Sequence, residues 1–406
     1  MAAEADGSAG AQRAVSATAA SLTESVIREM TRLALQHNAI NLAQGFPDFP
    51  APDQVKTAAV AAIEGDLNQY PITWGQVSIR EALADKYRQH YGMVVDPERD
   101  VCVTCGATEA MIAAMIGCVD PGQEVIVFEP FYENYGPDVI LAGATPRYVA
   151  LRDPDFSIDR AELEAAFGPR TKAIVINTPH NPSGKVFTRG ELETIAALCQ
   201  RHDTLAITDE IYEHIIYGGA RHISIASLNG MAERTVTISG LSKTYSITGW
   251  RLAYTIASER ITAAIRKVHD FLTVGAPHPL QEAGAVALRL PELFYAELTA
   301  MYERKRGALH TALTRAGLRC SNPDGAYYIV AEIGELGFED DFAAADFLLD
   351  QVGVAAVPGS SFYHRPELGH RKIRFTFSKS DETIAAAAER LSHLQEKLAV
   401  RSKLER

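Results

Sequence analysis

Ala173-Ile-Val-Ile-Asn177, Arg189-Gly-Glu-Leu-Glu-Thr-Ile-Ala-Ala-Leu-Cys-Gln-Arg-His202 and Leu205-Ala-Ile-Thr-Asp209 follow one another in a single stretch of the chain. The first and third are short runs, apolar at almost every position. Strands buried on both faces read this way, because a parallel sheet is covered by helices on both sides. The middle segment places Leu192, Ile195, Ala196 and Cys199 at the spacing of one helical stripe, so it reads as an amphipathic helix. Strand, helix, strand is the repeating unit of an open, doubly wound α/β sheet.

The same alternation extends outward. Val101–Cys105, Glu124–Glu129, Pro146–Leu151, Thr235–Ser239 and Leu252–Ile256 are further strand candidates, with helices over Ala110–Val119 and Glu259–Phe271. After about Leu290 the pattern changes. A long helix, Pro291 to Ala316, precedes a strand at Tyr327–Ala331, a helix near Asp341–Gln351, a strand at Ile373–Phe377 and an Ala-rich helix over Asp381–Leu398. We therefore expect a large sheet domain over 52–290 and a smaller α+β domain built from 21–51 and 291–406. Residues 1–20 are rich in Ala, Ser and Gly and lack an apolar core, the composition of a disordered tail. Ser21-Leu-Thr-Glu24 has capping-box spacing, which predicts a helix running from there to about Gln36. Asn41 to Pro50 is an extended lead-in to the large domain.

A chain of 406 residues exceeds one ordinary core. A hydrophobic content of 47% with 22% charged residues fits a soluble globular enzyme. The net charge of -12 argues against nucleic acid or an anionic membrane as the main partner. No signal-peptide core or membrane span is visible. Cys102 and Cys105 have the spacing of a metal or redox pair, but they fall in a strand-like run, and no second pair or paired histidines accompany them. The five cysteines read as reduced thiols of a cytoplasmic protein with no metal site.

Three motifs carry chemistry. They are Asn177-Thr-Pro-His-Asn-Pro-Ser-Gly184, Ala206-Ile-Thr-Asp-Glu-Ile-Tyr212 and Ser239-Gly-Leu-Ser-Lys-Thr-Tyr-Ser-Ile-Thr-Gly-Trp-Arg251. Each follows or ends a predicted strand, at the sheet edge where open α/β folds bind ligands. Singly, each has a plain structural explanation: turn formers, a helix N-cap, a surface lysine. Together they resemble the cofactor site of pyridoxal-phosphate enzymes, the class I/II aminotransferases of the aspartate aminotransferase fold (fold type I). The resemblance runs from about Asn41 to Ser378 and implies a large mixed-sheet domain plus a smaller α+β domain.

Within that resemblance, Lys243 is the amine that condenses with the cofactor aldehyde and later moves a proton. Asp209 pairs with the protonated pyridine nitrogen. Tyr212 and Asn181 reach the phenolic oxygen. Gly106, Ala107 and Thr108 open a helix after the strand Val101–Cys105 and present free N–H groups to a phosphate, with Arg251 adding a fixed charge. Relatives often carry a serine three residues before the lysine; here that position is Gly240, so Ser239 becomes the expected phosphate hydroxyl, with Ser242 flanking. Tyr132 matches the aromatic ring that stacks on the cofactor. Tyr70 resembles the tyrosine that reaches the phosphate from a neighbouring subunit, which implies a homodimer. Arg374 matches the arginine that binds the substrate α-carboxylate, and Gly45 the glycine whose N–H touches it.

The resemblance implies an amino-acid aminotransferase of EC 2.6.1 type. Its partners are an L-amino acid and a 2-oxo acid, turned over in a ping-pong cycle. Gln44-Gly-Phe-Pro-Asp-Phe49 resembles kynurenine and methionine aminotransferases, and implies aromatic, sulfur-containing or glutamine-like donors. Phe46, Trp74, Tyr135 and His278 are candidates for the side-chain pocket. The second arginine of dicarboxylate enzymes is missing from Thr273-Val-Gly-Ala-Pro-His278. The same apparatus also supports β- or γ-elimination, replacement or carbon–carbon bond formation, and the sequence leaves that alternative open.

Overall fold

The computed structural model describes residues 15–404. Eight strands form one twisted sheet: β1 (Val101–Thr104), β2 (Glu124–Glu129), β3 (Thr145–Arg152), β4 (Ser157–Ile158), β5 (Thr171–Asn177), β6 (Leu205–Asp209), β7 (Thr235–Gly240) and β8 (Ala253–Ile256). Their order is β1-β8-β7-β6-β5-β2-β3-β4. The central strands β3, β2, β5, β6 and β7 run parallel. β8 is antiparallel to both neighbours, and β4 is antiparallel to β3. The sheet is therefore mixed, as expected. The fully apolar strands are explained by a separate core on each face. Val125, Val127, Ala173, Val175 and Ile207 belong to one, and Ile126, Phe128, Ile174, Ile176 and Ala206 to the other.

The helices that matter here are α1 (Val26–Gln36), α2 (Asp53–Glu64), α3 (Val77–Tyr91), α4 (Ala107–Cys118), α5 (Tyr135–Leu141), α6 (Arg160–Ala166), α7 (Arg189–His202), α8 (Glu259–Leu272), α9 (His278–Leu288) and α10 (Glu292–Arg315). α4 and α8 pack together on one face of the sheet. α7 covers the other, closed at its start by a full capping box between Thr188 and Glu191.

A second, four-stranded antiparallel sheet has the order β9 (Arg319–Cys320), β10 (Tyr328–Glu332), β12 (Lys372–Thr376), β11 (Val357–Pro358). Around it, α11 (Asp341–Phe347), α12 (Asp381–Ser392) and α13 (Leu394–Leu404) complete the C-terminal part. One apolar core joins Ile27, Met30, Leu42 and Ala43 to Leu309, Ile329, Phe375 and Leu391. Ile40–Asn41 pairs in parallel with Val354–Ala355. The N-terminal helix thus packs with the C-terminal third of the chain.

Four local readings need correction. Ser21 does not cap the N-terminal helix: it closes a single turn, Ala17–Ala20, and α1 begins after Ser25, whose hydroxyl accepts from the Arg28 N–H. That turn also removes 17–20 from the expected disordered tail; residues 1–14 lie outside the described residues. The C-terminal helix is broken at His393 into α12 and α13. The helix expected to reach Gln351 widens after Phe347 into a π-type segment, Leu348–Val352, that ends on Gly353 with φ of 77°.

Candidate active site

One cavity gathers most of the sequence-predicted residues. It is lined by Gly45, Ala107, Thr108, Tyr132, Asn181, Asp209, Tyr212, Lys243, Arg251 and Arg374, joined by Arg28, Gln44, Asp138, Ser242, Thr248 and Tyr328 among others. Its floor is the carboxyl edge of the sheet. β6 ends on Asp209, β5 on Asn177, and β7 runs out just before Lys243.

Asp209 is buried at the end of β6. Its Oδ2 accepts from the Tyr135 hydroxyl at 2.7 Å and its Oδ1 from the Ile211 N–H at 3.2 Å. Burial pushes its pKa up, and those two donors together with the Lys243 charge only partly offset the rise. A cation beside it would favour the carboxylate, so a protonated ring nitrogen fits this position. Asn177 staples the two turns together: its Nδ2 donates to the Asp209 carbonyl at 2.9 Å and its Oδ1 accepts from the Asn181 N–H at 2.7 Å.

Lys243 is half-buried, with Nζ 3.3 Å from the Gly45 carbonyl. Desolvation pushes its pKa down to about 8, against the pull of Asp209 and with help from the Arg251 and Arg374 charges. An amine that is partly neutral near physiological pH is competent to attack a carbonyl.

The phosphate end shows why Gly106 is required. Its φ is +88°, and an added Cβ would collide with the Arg251 guanidinium. With no side chain there, Arg251 lies directly against the start of α4, where Ala107 and Thr108 face the cavity. Exposed helix N–H groups beside a guanidinium make an anion site. Ser239 is not part of it. The strand runs through to Gly240, and the Ser239 hydroxyl turns away to donate to Glu213, with the Glu210 carbonyl 3.3 Å from it. Ser242 and Thr248 supply the hydroxyls that line the cavity. The cradle of N–H groups, the guanidinium and the two hydroxyls fits a phosphate, and the Lys243–Asp209 pair fits the rest of pyridoxal phosphate.

Arg374 lies in β12 between Val330 and Val357 of the flanking strands and is only 1% exposed. It is a central residue, not an edge one. Its Nη1 donates to Asn181 Oδ1 and its Nη2 to the Ala43 carbonyl, both at 2.7 Å, while its buried Nε has no partner among the described residues. The guanidinium lies 4.2 Å from the Tyr328 ring centre and 4.7 Å from that of Phe362. Tyr212 shares a hydroxyl–hydroxyl bond of 3.0 Å with Tyr328. Gly45 sits so close to Tyr327 and Tyr328 that any Cβ would overlap them.

Not every expectation converges here. Tyr70 is 83% exposed and lies outside the cavity of its own chain. Tyr135 lines the cavity, and its hydroxyl is committed to Asp209. Trp74 is covered by Arg266 at 4.7 Å, His278 bonds to the Gln69 carbonyl and to Gln76, and Phe46 lies under the Lys379 ammonium at 3.7 Å. None of these three lines this cavity. Sequence reasoning missed Arg28 and Asp138, which are ordinary-looking helix residues, and Thr248, which lay inside a quoted motif. All five cysteines are free, no group of described residues has metal-holding geometry, and no described helix is long and apolar enough to cross a membrane.

Residues 37–391 match the profile of the family described as aminotransferase class I and II. A probable N-succinyldiaminopimelate aminotransferase from Mycobacterium tuberculosis is 40% identical over 385 residues, covering 92% of this chain and 97% of its own. The human kynurenine–oxoglutarate transaminase 1 is 37% identical, covering 89% of this chain and 94% of its own. Among solved structures, an Escherichia coli methionine aminotransferase superposes with a TM-score of 0.90 at 37% identity, covering 94% of this chain and 99% of its own.

Proposed function

This chain belongs to the class I and II aminotransferases, is a pyridoxal-phosphate-dependent aminotransferase, and, we propose, takes its amino group from an L-amino acid with an aromatic, sulfur-containing or glutamine-like side chain. The carrying observation is the cavity wall. Ile27, Tyr132 and Tyr328 give it an apolar and aromatic middle, while Gln44, Arg28 and Glu133 give it polar groups. That arrangement suits a side chain with an apolar stem and a polar tip. The methionine and kynurenine enzymes among the relatives support this donor class, and the names of the relatives favour amino transfer over elimination.

When bound, the cofactor supplies an aldehyde that accepts the amino group and a ring that spreads negative charge from the substrate Cα. Lys243 would hold that aldehyde and would then serve as general base and acid at Cα. Asp209, oriented by Tyr135, would keep a negative charge at the ring nitrogen. Tyr212 and Asn181 would donate to the phenolic oxygen, and Tyr132 would pack on the ring. Ala107, Thr108, Ser242 and Arg251 would hold the phosphate. Arg374 and the Gly45 N–H would bind the α-carboxylate, so that Cα is presented to Lys243.

Tyr70, exposed on its own chain, completes the phosphate site of a second copy in a homodimer. Residues 21–51 and the described residues from 291 onward form one closing unit, and the reduced cysteines suit the cytoplasm. The test is a donor panel with the cofactor-loaded enzyme, read as kcat/KM with a 2-oxo acid acceptor. Methionine, phenylalanine, kynurenine and glutamine are expected to exceed alanine and lysine by about tenfold or more; equal rates across the panel would refute this donor class.

A further inference from the structure

The cavity holds a cation that the scheme above counts only as a polar wall group and matches to no charged partner. Arg28, in the first turn of α1, is solvent-exposed and lines the same cavity as Arg374 and Lys243. Its backbone N–H bonds to Ser25 Oγ, but its guanidinium has no hydrogen-bond or ion-pair partner among the described residues. Glu133, which also lines the cavity, does not pair with it; Glu133 Oε1 instead accepts from the Ser25 hydroxyl. That bond ties the start of α1 to the loop that carries Tyr132, and so fixes the helix from which Arg28 projects. Arg28 also lies close enough to Tyr132 for its charge to oppose the rise that burial and Glu133 impose on the tyrosine hydroxyl.

Besides Arg251 at the phosphate end, the cavity thus has two guanidinium groups of opposite exposure: Arg374 is buried, and Arg28 is at the solvent side. An arginine held at a pocket mouth without a carboxylate is matched to an anion brought in from outside. The need for a local cation is strong in this chain. Its net charge of -12 repels anions at long range, and the segment Thr273–His278 carries no arginine to meet a second substrate carboxylate.

We propose that Arg28 binds the distal carboxylate of a dicarboxylic substrate whose α-carboxylate is held by Arg374. The class is a five-carbon or longer 2-oxo dicarboxylic acid, or an amino acid whose side chain ends in a carboxylate. This rests on the reading of Arg374 as the α-carboxylate site. One cavity then accepts both members of a transamination pair. An apolar side chain packs against Ile27, Tyr132 and Tyr328, and an acidic one extends past the same wall to Arg28. The site differs in origin from a second arginine placed in the segment 273–278, because here the charge comes from the N-terminal helix, which packs with the C-terminal third of the chain.

The experiment compares wild-type enzyme with Arg28→Gln and Arg28→Lys, all loaded with cofactor. Turnover is measured with 2-oxoglutarate and with the monocarboxylate 2-oxohexanoate as acceptors. Calorimetry measures binding of unreactive glutarate and hexanoate. Arg28→Gln is expected to lower the ratio of kcat/KM for 2-oxoglutarate to that for 2-oxohexanoate by about tenfold or more, and to weaken glutarate relative to hexanoate in the same proportion. Arg28→Lys should recover part of both ratios. An unchanged ratio, an equal loss on both acceptors, or wild-type enzyme that does not saturate with either dicarboxylate overturns the assignment. Arg374→Ala separates this from failure of the underlying reading: it should impair both acceptors, and if it impairs neither, the α-carboxylate site is misplaced whatever Arg28 does.

Discussion

Asp138 is a buried carboxyl in the first turn of α5 with no ion-pair partner among the described residues. It lies on α5, faces the cavity, and its Oδ2 has no partner among the described residues. Desolvation alone pushes its pKa up to about 8. For an acid, a folded-state pKa above the unfolded one means that the folded protein holds the proton more tightly. Stability therefore falls as pH rises from about 4 through about 8, and is level above that. At pH 7 the unfolded carboxyl is about three units past its ordinary pKa while the folded one is still protonated. At about 1.36 kcal/mol per unit the cost is on the order of 4 kcal/mol. Asp138→Asn removes the titration and keeps the shape. The amide carries one more N–H donor than the protonated carboxyl, a pH-independent difference, so the pH dependence of the gap is the readout. For a chain of this length, unfolding entropy of about 2.1 cal/mol/K per residue turns 4 kcal/mol into about 5 °C. Thermal melting of cofactor-free wild-type and variant protein should show a gap in favour of Asn that widens between pH 5 and pH 8. A gap that is absent, or does not change with pH, would refute the reasoning.

The remaining expectations concern the cradle, the lysine and the support beneath them. Gly106→Ala drives a Cβ into the Arg251 guanidinium at a φ of +88°, and should raise the cofactor Kd by about tenfold or more in an absorbance titration. Lys243, with its pKa pushed down to about 8, should be acylated by an amine-selective reagent in cofactor-free protein with a half-maximal rate near pH 8. A half-point above pH 10, read by peptide mass spectrometry, would contradict its desolvation. Burial pushes Glu213 up, but the Lys86 ammonium 2.6 Å away holds it below the usual carboxylate range. Glu213→Gln should therefore cost about 3 kcal/mol or more by leaving a buried charge unpaired, and the double variant Lys86→Met/Glu213→Leu should recover much of it in thermal melts.

How much of this could be read in the sequence depended on how local each feature is. β2 and β6 fall where expected because a short apolar run between turn formers has few alternatives once it is covered on both faces. The placement of Lys243, Asp209 and Asn181 was legible for the same reason: each ends a strand or follows one within four residues, so the strand itself delivers it to the carboxyl edge. Ser239 shows the limit. The strand continues to Gly240, and a single position decides whether a hydroxyl faces the cavity or Glu213. Arg28 and Asp138 were invisible because their meaning depends on which helix packs over the cavity, and an arginine or aspartate on an amphipathic helix looks the same whether it faces water or a ligand. The Ser21 capping box failed through competition: Ser25, four residues on, is an equally good cap and also reaches Glu133.

In the proposed mechanism Lys243 and Asp209 would lie on one cofactor that receives and returns an amino group. The direct measurement is a single-turnover absorbance experiment: cofactor-loaded enzyme is mixed with methionine in the absence of acceptor, then with a 2-oxo acid, with free ammonia assayed in parallel. The account predicts conversion of the cofactor to its amino form without ammonia release, full reversal by the 2-oxo acid, and loss of both phases in Lys243→Ala. Ammonia release without acceptor, or normal conversion in Lys243→Ala, would contradict it.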